Sequence, residues 1–352
     1  MGRRWAAKLR ESGVQIAAWV DPLPGAVEAA VELLPESQSF PPPSVPDLAS
    51  ALQHYRADFV VDVSPPAFHP SVTALALSYG LPVLGEKPMA TTMEDARRML
   101  EASEAAGLPF MVSQNVRFRR GARKFRQAIH KEIGPVELLT TDYFIAPHFG
   151  GFREEMLHPL LVDVAIHAFD LARYLTGSDP VTVSAQEFNP TWSWYSGAAG
   201  AVVTFEMTGG VRYLYRGLWC AEGCATSWGG QWRGVGPRGS AVWDGEEAIR
   251  CETSVGEFSS NQLIRAVIDR SGSVASAPDT EPEDLAGSLA EFLRCLVAGE
   301  SPMTECHDNI KSLAMMLGAV EAAESGQMVA LSGQAPLASK VATSAVQANR
   351  EE

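Results

Sequence analysis

A lysine stands where a buried strand should end. Gly85-Glu86-Lys87-Pro88 follows the apolar run Leu81-Pro82-Val83-Leu84. Open α/β sheets bind ligands at the carboxyl ends of their strands, so a cation there is placed for chemistry rather than solubility. Pro88 restricts Lys87 to an extended backbone and allows a cis bond at modest cost, which aims the side chain. A second constellation lies further along. Asp163, His167 and Asp170 are spaced i, i+4 and i+7, one face of a helix predicted over 160–177. Leu160, Val164 and Leu171 would otherwise make that face apolar. A histidine between carboxylates can take a proton near neutral pH. The same residues also suit a polar seam or a His–Asp pair within the fold. Asp163 and His167 have the spacing of two metal ligands, but no third ligand set accompanies them, so no metal is expected.

The elements that must position these residues follow an alternating pattern. Helices are predicted over 4–13, 24–34, 46–55, 69–80 and 92–106. Between and after them lie strands over 14–20, 59–63, 82–84 and 109–113. Strands alternating with helices mean βαβ units and a parallel sheet. The pattern changes near residue 118. A helix at 120–131 leads to a strand at 136–143, and strand-like segments at 181–186, 201–207, 211–215 and 240–243, separated by glycine clusters, read as an antiparallel sheet. Six of the eight tryptophans fall between Trp192 and Trp243, as core, as a dimer surface, or as rings that stack on a sugar. Helices return at 283–298 and 307–325. The expected organisation is a dinucleotide-binding domain over 1–118, a substrate and oligomerisation domain over 119–332, and a flexible tail over 333–352.

A dinucleotide-binding domain opens with a strand and G-x-G-x-x-G. Here Met1-Gly2 runs directly into a helix. Gly2 lies 19 residues before Asp21 (21 − 2), close to the spacing between the last fingerprint glycine and the ribose-binding carboxylate. Gly2 therefore fits the third glycine. The first strand and two glycines are missing, as a start site assigned too far downstream would leave them. Asp21 ends the second expected strand and favours NAD over NADP, though NADP stays possible; it can equally form the turn before Pro22. Ser64-Pro65-Pro66-Ala67-Phe68-His69 follows a buried strand, where the cofactor crosses the sheet edge or where His69 simply caps a helix. Gln114, Asn115 and Arg117 follow the last parallel strand, and the two amides are within reach of nicotinamide or substrate.

Composition limits the partners. Acidic residues outnumber basic ones 42 to 28, a net charge of −14. That field disfavours nucleic acid and anionic membranes. No apolar run approaches a membrane span, and the N-terminus is not a signal peptide. Five scattered cysteines suggest reduced thiols in the cytoplasm.

Glu86-Lys87-Pro88 and the Asp163/His167 pair, 76 residues beyond Lys87 (163 − 87), together resemble the Gfo/Idh/MocA family of NAD(P)-dependent oxidoreductases. The closing helix from Ile310 to Ser325, with Gly326-Gln327-Met328-Val329 after it, resembles the family's ending. The resemblance covers about residues 1–332. It implies a Rossmann domain followed by an α/β domain with an open, mostly antiparallel sheet. It also implies a homodimer or homotetramer built through that sheet, and a Lys-Pro bond that is often cis. The implied catalytic triad is Lys87, Asp163 and His167, with Arg117 beside the substrate. Gly2, Asp21, Ser64, Pro65, His69, Glu86, Lys87 and Asn115 would face the cofactor. The expected reaction moves a hydride between a secondary alcohol of a sugar or cyclitol and NAD. His167 would be the base, Lys87 the hydrogen-bond donor to the reacting oxygen, and Asp163 the orienting carboxylate. An NAD-dependent glycosidase and a non-catalytic sugar- or NAD-binding regulator are the alternatives.

Overall fold

The computed structural model describes residues 1–33, 42–254, 268–269 (backbone only) and 280–331. The chain forms two compact units. One holds Met1–Phe118 together with Pro282–Ile310; the other runs from Arg119 to Glu281 and resumes at Lys311. The predicted tail over 333–352 lies outside the described residues. No helix among the described residues is long and apolar enough to cross a membrane.

The first unit alternates helix and strand: α1 (Gly2–Glu11), β1 (Trp19–Val20), α2 (Ala26–Glu32), β2 (Ser44–Val45), α3 (Leu48–His54), β3 (Val60–Asp62), α4 (His69–Ser78), β4 (Val83–Gly85), α5 (Met93–Ala106) and β5 (Phe110–Val112). Every strand pairing in it is parallel. The strands fall into two patches, β1–β2 and β3–β4–β5. A doubly wound sheet has the order 3-2-1-4-5-6. Its central position, between these patches, is held by no strand among the described residues. The predicted strand over 14–20 is correspondingly reduced to Trp19 and Val20, the residues that have a partner in β2. Thr92 caps α5 by accepting from the Asp95 N–H, and Gly107 ends it at φ 64°, a conformation that favours glycine. Trp5 and Leu9 of α1, Leu84 of β4, Met111 of β5 and Phe118 share one core with Leu285, Leu289 and Phe292 from a later helix, residues 284–298. Burying each such side chain stabilises by about 1.5–3 kcal/mol.

The second unit contains α6 (Arg120–Ala128), β6 (Leu138–Phe144), α7 (Phe152–Glu155), α8 (Ile166–Thr176), β7 (Pro180–Phe188), β8 (Gly200–Met207), β9 (Arg212–Leu218), β10 (Gln231–Gly236), β11 (Gly239–Trp243), β12 (Ile249–Ser254) and β13 (Ile268–Asp269). The chain continues as α9 (Asp284–Ala298), which belongs to the first unit, then α10 (Cys306–Ser325) and β14 (Val329–Ala330). Nine strands form one sheet in the order β13-β12-β11-β10-β6-β9-β8-β7-β14. All its pairs are antiparallel except β6–β9. Its buried face carries a run of stacked rings, Trp243, Trp232, Tyr213 and Phe205, with successive centroids 6.3, 6.2 and 5.8 Å apart. Phe169 of α8 meets Phe205, Tyr213 and Tyr215 edge-on. Three of the six clustered tryptophans, Trp219, Trp232 and Trp243, are therefore core.

β10 and β12 were not predicted. Glycines interrupt the apolar alternation of β10. A Cβ at Gly236 would come within 2.6 Å of the Ile133 carbonyl oxygen, so close approach of another backbone selects glycine there. The helix predicted over 160–177 is also not uniform. Residues Leu160–Ala165 form a wider π-helical turn, and regular α-helix begins at Ile166. Asp163 and His167 flank that junction. Asp170 is buried and accepts a 2.7 Å hydrogen bond from Ser312 Oγ, which also accepts from Arg173.

Candidate active site

The first unit fixes its lysine through neighbours. β4 ends at Gly85, and the Lys87–Pro88 bond is cis. The half-buried Lys87 follows Glu86, whose Oε1 accepts from Trp5 Nε1 at 2.6 Å and whose Oε2 accepts from the Lys87 N–H at 3.2 Å. Glu86 thus ties the lysine backbone to α1. His69 holds the other side. Its Nδ1 lies 2.9 Å from the Pro88 carbonyl and its Nε2 2.9 Å from the Ser64 carbonyl. His69 therefore joins the Ser64-Pro65 turn to the Lys87-Pro88 element, a role beyond that of a helix cap. Ser64 is held by Asp62, whose Oδ1 accepts from both the Ser64 hydroxyl (2.6 Å) and its N–H (3.0 Å).

The remaining residues of this unit divide. Gly2 opens α1 against Trp19, where an added Cβ would sit 3.4 Å from the indole. Asp21 closes an Asx turn, with Oδ1 accepting from the Leu23 N–H at 3.0 Å. Asn115 donates to Asp284 at 2.6 Å. Arg117, expected at the substrate, is only 5% exposed and pairs with Asp308 at 3.0 Å, so its charge is directed into the fold. A set of buried polar atoms lies at the carboxyl ends of β3 and β5; the sequence pointed to the Gln114 amide, but not to Asp62 or Ser113. Asp62 Oδ2, Ser113 Oγ and both amide atoms of Gln114 have no hydrogen-bond partner among the described residues. Buried polar groups are normally paired. Orphans at this edge suit a polar ligand such as a dinucleotide, whose nicotinamide and ribose offer both donors and acceptors.

In the second unit, Asp163 and His167 are half-buried on the segment that spans the π-to-α junction. Arg153 donates from Nε to Asp163 Oδ2 at 2.6 Å. Its guanidinium packs over Phe149 and Phe152, 5.1 and 4.8 Å from the ring centroids. Arg153 was missed because it lies in the glycine-flanked stretch after β6, where no periodicity marks it. That stretch is held by main-chain bonds from Ser196 N–H to the Glu154 carbonyl and from Ala198 N–H to the Leu157 carbonyl. A Cβ on the intervening Gly197 would overlap both the Met156 and Leu157 carbonyls. Rings line the same region. His148 stacks on Trp194 at 3.7 Å, Tyr195 on Trp219 at 5.5 Å, and Phe149 meets Trp219 edge-on at 5.4 Å. Burial chiefly pushes the Tyr195 hydroxyl up to about 12, and the Asp163 charge adds to the shift.

Comparison with known proteins matches both parts of the chain to one family. A family model described as an oxidoreductase family with an NAD-binding Rossmann fold matches residues 1–114. The model of the Gfo/Idh/MocA C-terminal domain matches residues 122–242. The chain belongs to the Gfo/Idh/MocA family, and its first unit is the NAD-binding Rossmann domain of these oxidoreductases. D-apiose dehydrogenase of Paraburkholderia graminis is 25% identical over 85% of this chain and 80% of that protein. Inositol 2-dehydrogenase of Corynebacterium glutamicum is 28% identical over 50% of this chain and 51% of its own length. Among solved structures, an oxidoreductase from Agrobacterium radiobacter in complex with NAD+, L-tartaric acid and magnesium superposes with a TM-score of 0.80. It has 18% identity and covers 94% of this chain and 95% of its own. The family is one of sugar and cyclitol oxidoreductases.

Proposed function

We propose that the protein oxidises a secondary alcohol of a sugar or cyclitol reversibly, with NAD as its partner. The observation that carries this reading is the bracing of Lys87. The main chain that carries a lysine at the carboxyl edge of a parallel sheet is held by Glu86 at the Lys87 N–H and by His69 at the Pro88 carbonyl. NAD, when bound, supplies the hydride acceptor. Asp62, Gln114 and the Ser64-Pro65 turn would hold its polar groups. Lys87 donates a hydrogen bond to the substrate oxygen and stabilises negative charge that develops there. His167 takes the hydroxyl proton. Asp163, with Arg153 on its Oδ2, orients substrate hydroxyls. The inositol and apiose dehydrogenases among the relatives support a polyol as substrate. Association into dimers or tetramers through the second-unit sheet belongs to the same proposal, and light scattering measures it. The activity is tested with NAD+ and a panel of myo-inositol, D-apiose, D-glucose and D-xylose. NADH formation with at least one is expected. A wild-type protein that binds NAD+ yet reduces it with none of them would refute the reading.

A further inference from the structure

The second unit leaves three large rings open to solvent near Asp163. Phe149, Phe152 and Trp228 are 43%, 65% and 51% exposed. Trp228 thus differs from Trp219, Trp232 and Trp243, which are core. Apolar side chains exposed singly are normal, but a contiguous set marks a binding surface. These three are contiguous. The Arg153 guanidinium lies over both Phe149 and Phe152, and Trp228 meets Phe149 edge-on, with centroids 6.1 Å apart and planes at 90°. The turn that carries Trp228 is well held. Thr226 N–H donates to the Phe144 carbonyl at 2.9 Å, and Gly230 N–H to the Ser227 carbonyl at 3.0 Å. A Cβ at Gly229 would stand 2.1 Å from the Gly245 carbonyl oxygen, so another backbone packs directly against the turn. The indole is therefore fixed at the surface rather than left on a loose loop.

Arg153 joins these rings to the candidate site. Its Nε donates to Asp163 at 2.6 Å, its side chain is 34% exposed, and its other N–H donors have no partner among the described residues. A carboxylate or a hydroxyl oxygen could accept from them, and charge decides between the two. Asp163 already neutralises the guanidinium, and the chain carries a net charge of −14, so a second anion meets repulsion where a neutral hydroxyl does not. The rings select the rest of the ligand. A six-membered ring with mainly equatorial hydroxyls keeps flat C–H faces that pack on aromatic rings. Its edge still offers hydroxyl oxygens to the guanidinium. An open-chain polyol carries the same hydroxyls and has no such face. We propose that Trp228, Phe152 and Phe149 form the stacking wall of the substrate site, and that with Arg153 they select a pyranose or cyclitol ring over an open-chain polyol. This inference rests on the sugar or cyclitol reading and deepens it.

The test uses Trp228→Ala, which removes the ring, Trp228→Phe, which keeps a ring but loses the indole emission, and Phe152→Ala. KM and kcat are measured for the best six-membered ring among myo-inositol, D-glucose and D-xylose, and for its open-chain counterpart, sorbitol or xylitol. Thermal midpoints without sugar and tryptophan emission with and without sugar are measured alongside. Wild type should show a lower KM for the ring than for the alditol. Trp228→Ala should keep the sugar-free midpoint, because its ring is exposed, and raise the KM for the ring about 2- to 10-fold, the scale of one ring contact, with little change in kcat. Trp228→Phe should recover most of the wild-type KM, and the KM for the alditol should be the same in all. A wild-type KM for the ring in both alanine variants would overturn the wall, and so would equal KM values for ring and alditol in the wild type. Dissociation of the Trp228→Ala oligomer with unchanged KM would overturn it too, by making the rings a subunit surface. If the wild type makes no NADH but a six-membered ring changes its emission, and Trp228→Phe loses that change, the wall stands and the dehydrogenase reading falls. If no sugar is oxidised and none changes the emission, the wall falls as well.

Discussion

The two units hold their candidate site residues in different ways. In the first, the supports around Lys87 are close in sequence or on one core: Glu86 accepts from Trp5 and from the lysine N–H, His69 lies against two carbonyls, and Asp62 holds Ser64. Beside them Asp62 Oδ2, Ser113 Oγ and both Gln114 amide atoms have no partner among the described residues. In the second, Arg153 donates to Asp163 and packs over Phe149 and Phe152. In this account the first unit braces its lysine and keeps polar atoms for a cofactor, and the second orients its carboxylate through a charge pair.

The comparison can be broken at several points. The largest effect belongs to Lys87 itself. Lys87→Met keeps the length of the stem and removes the donor, and kcat should fall by about 10²–10³-fold, the usual cost of losing one stabilising donor. An equal rise in KM with unchanged kcat would make the lysine a mere binding contact. Next comes the brace. Trp5→Phe leaves Glu86 Oε1 buried without its donor and should lower stability by about 1–3 kcal/mol in urea denaturation. No loss would show that the bracing is not needed. Arg153→Ala frees Asp163 from a pair that is partly open to solvent, with side chains 34% and 20% exposed. Partly exposed pairs are worth little, about 1 kcal/mol or less. The variant should therefore keep its midpoint and change KM more than kcat; a large fall in stability would make Arg153 a structural residue.

The smallest effect is pH-dependent. His307 lies between Glu305 (2.6 Å) and Glu104 (2.8 Å) in the first unit. Burial opposes its charge, but the two carboxylates outweigh burial and raise its pKa. A histidine whose folded pKa is raised contributes stability that is complete below its unfolded value, about 6.5. That contribution is lost as pH rises through the folded value. Midpoints of the wild type should fall as pH rises above about 6.5, and His307→Asn should flatten that slope. An unchanged slope would remove His307 from the set of committed groups.

The first unit was the more legible from sequence because its signals are local. An apolar run, a lysine and a proline lie next to each other in Gly85-Glu86-Lys87-Pro88, and the cis bond sits where they meet. Helix ends such as Thr92 and Gly107 follow from short-range rules. The Asp163/His167 spacing could also be read, but the π-helical turn could not, because the same side chains suit either helix. The partner of Asp170 could not be read either, because Ser312 is 142 residues away. Arg117 looked free at a ligand edge, but its partner Asp308 lies in a distant helix. Trp219 was marked only as one of six clustered tryptophans, and its place in the core exists only once β6 and β9 are paired. β10 was hidden by its own glycines.

The central claim is that His167 moves the proton while a sugar or cyclitol is oxidised. It is tested most directly by the rate of NADH formation in wild type and His167→Ala on the best substrate of the panel, at matched folded fraction. The account predicts a fall of about 10²–10⁴-fold, as for loss of a general base, with polyol binding retained. Near-wild-type turnover in His167→Ala would contradict it.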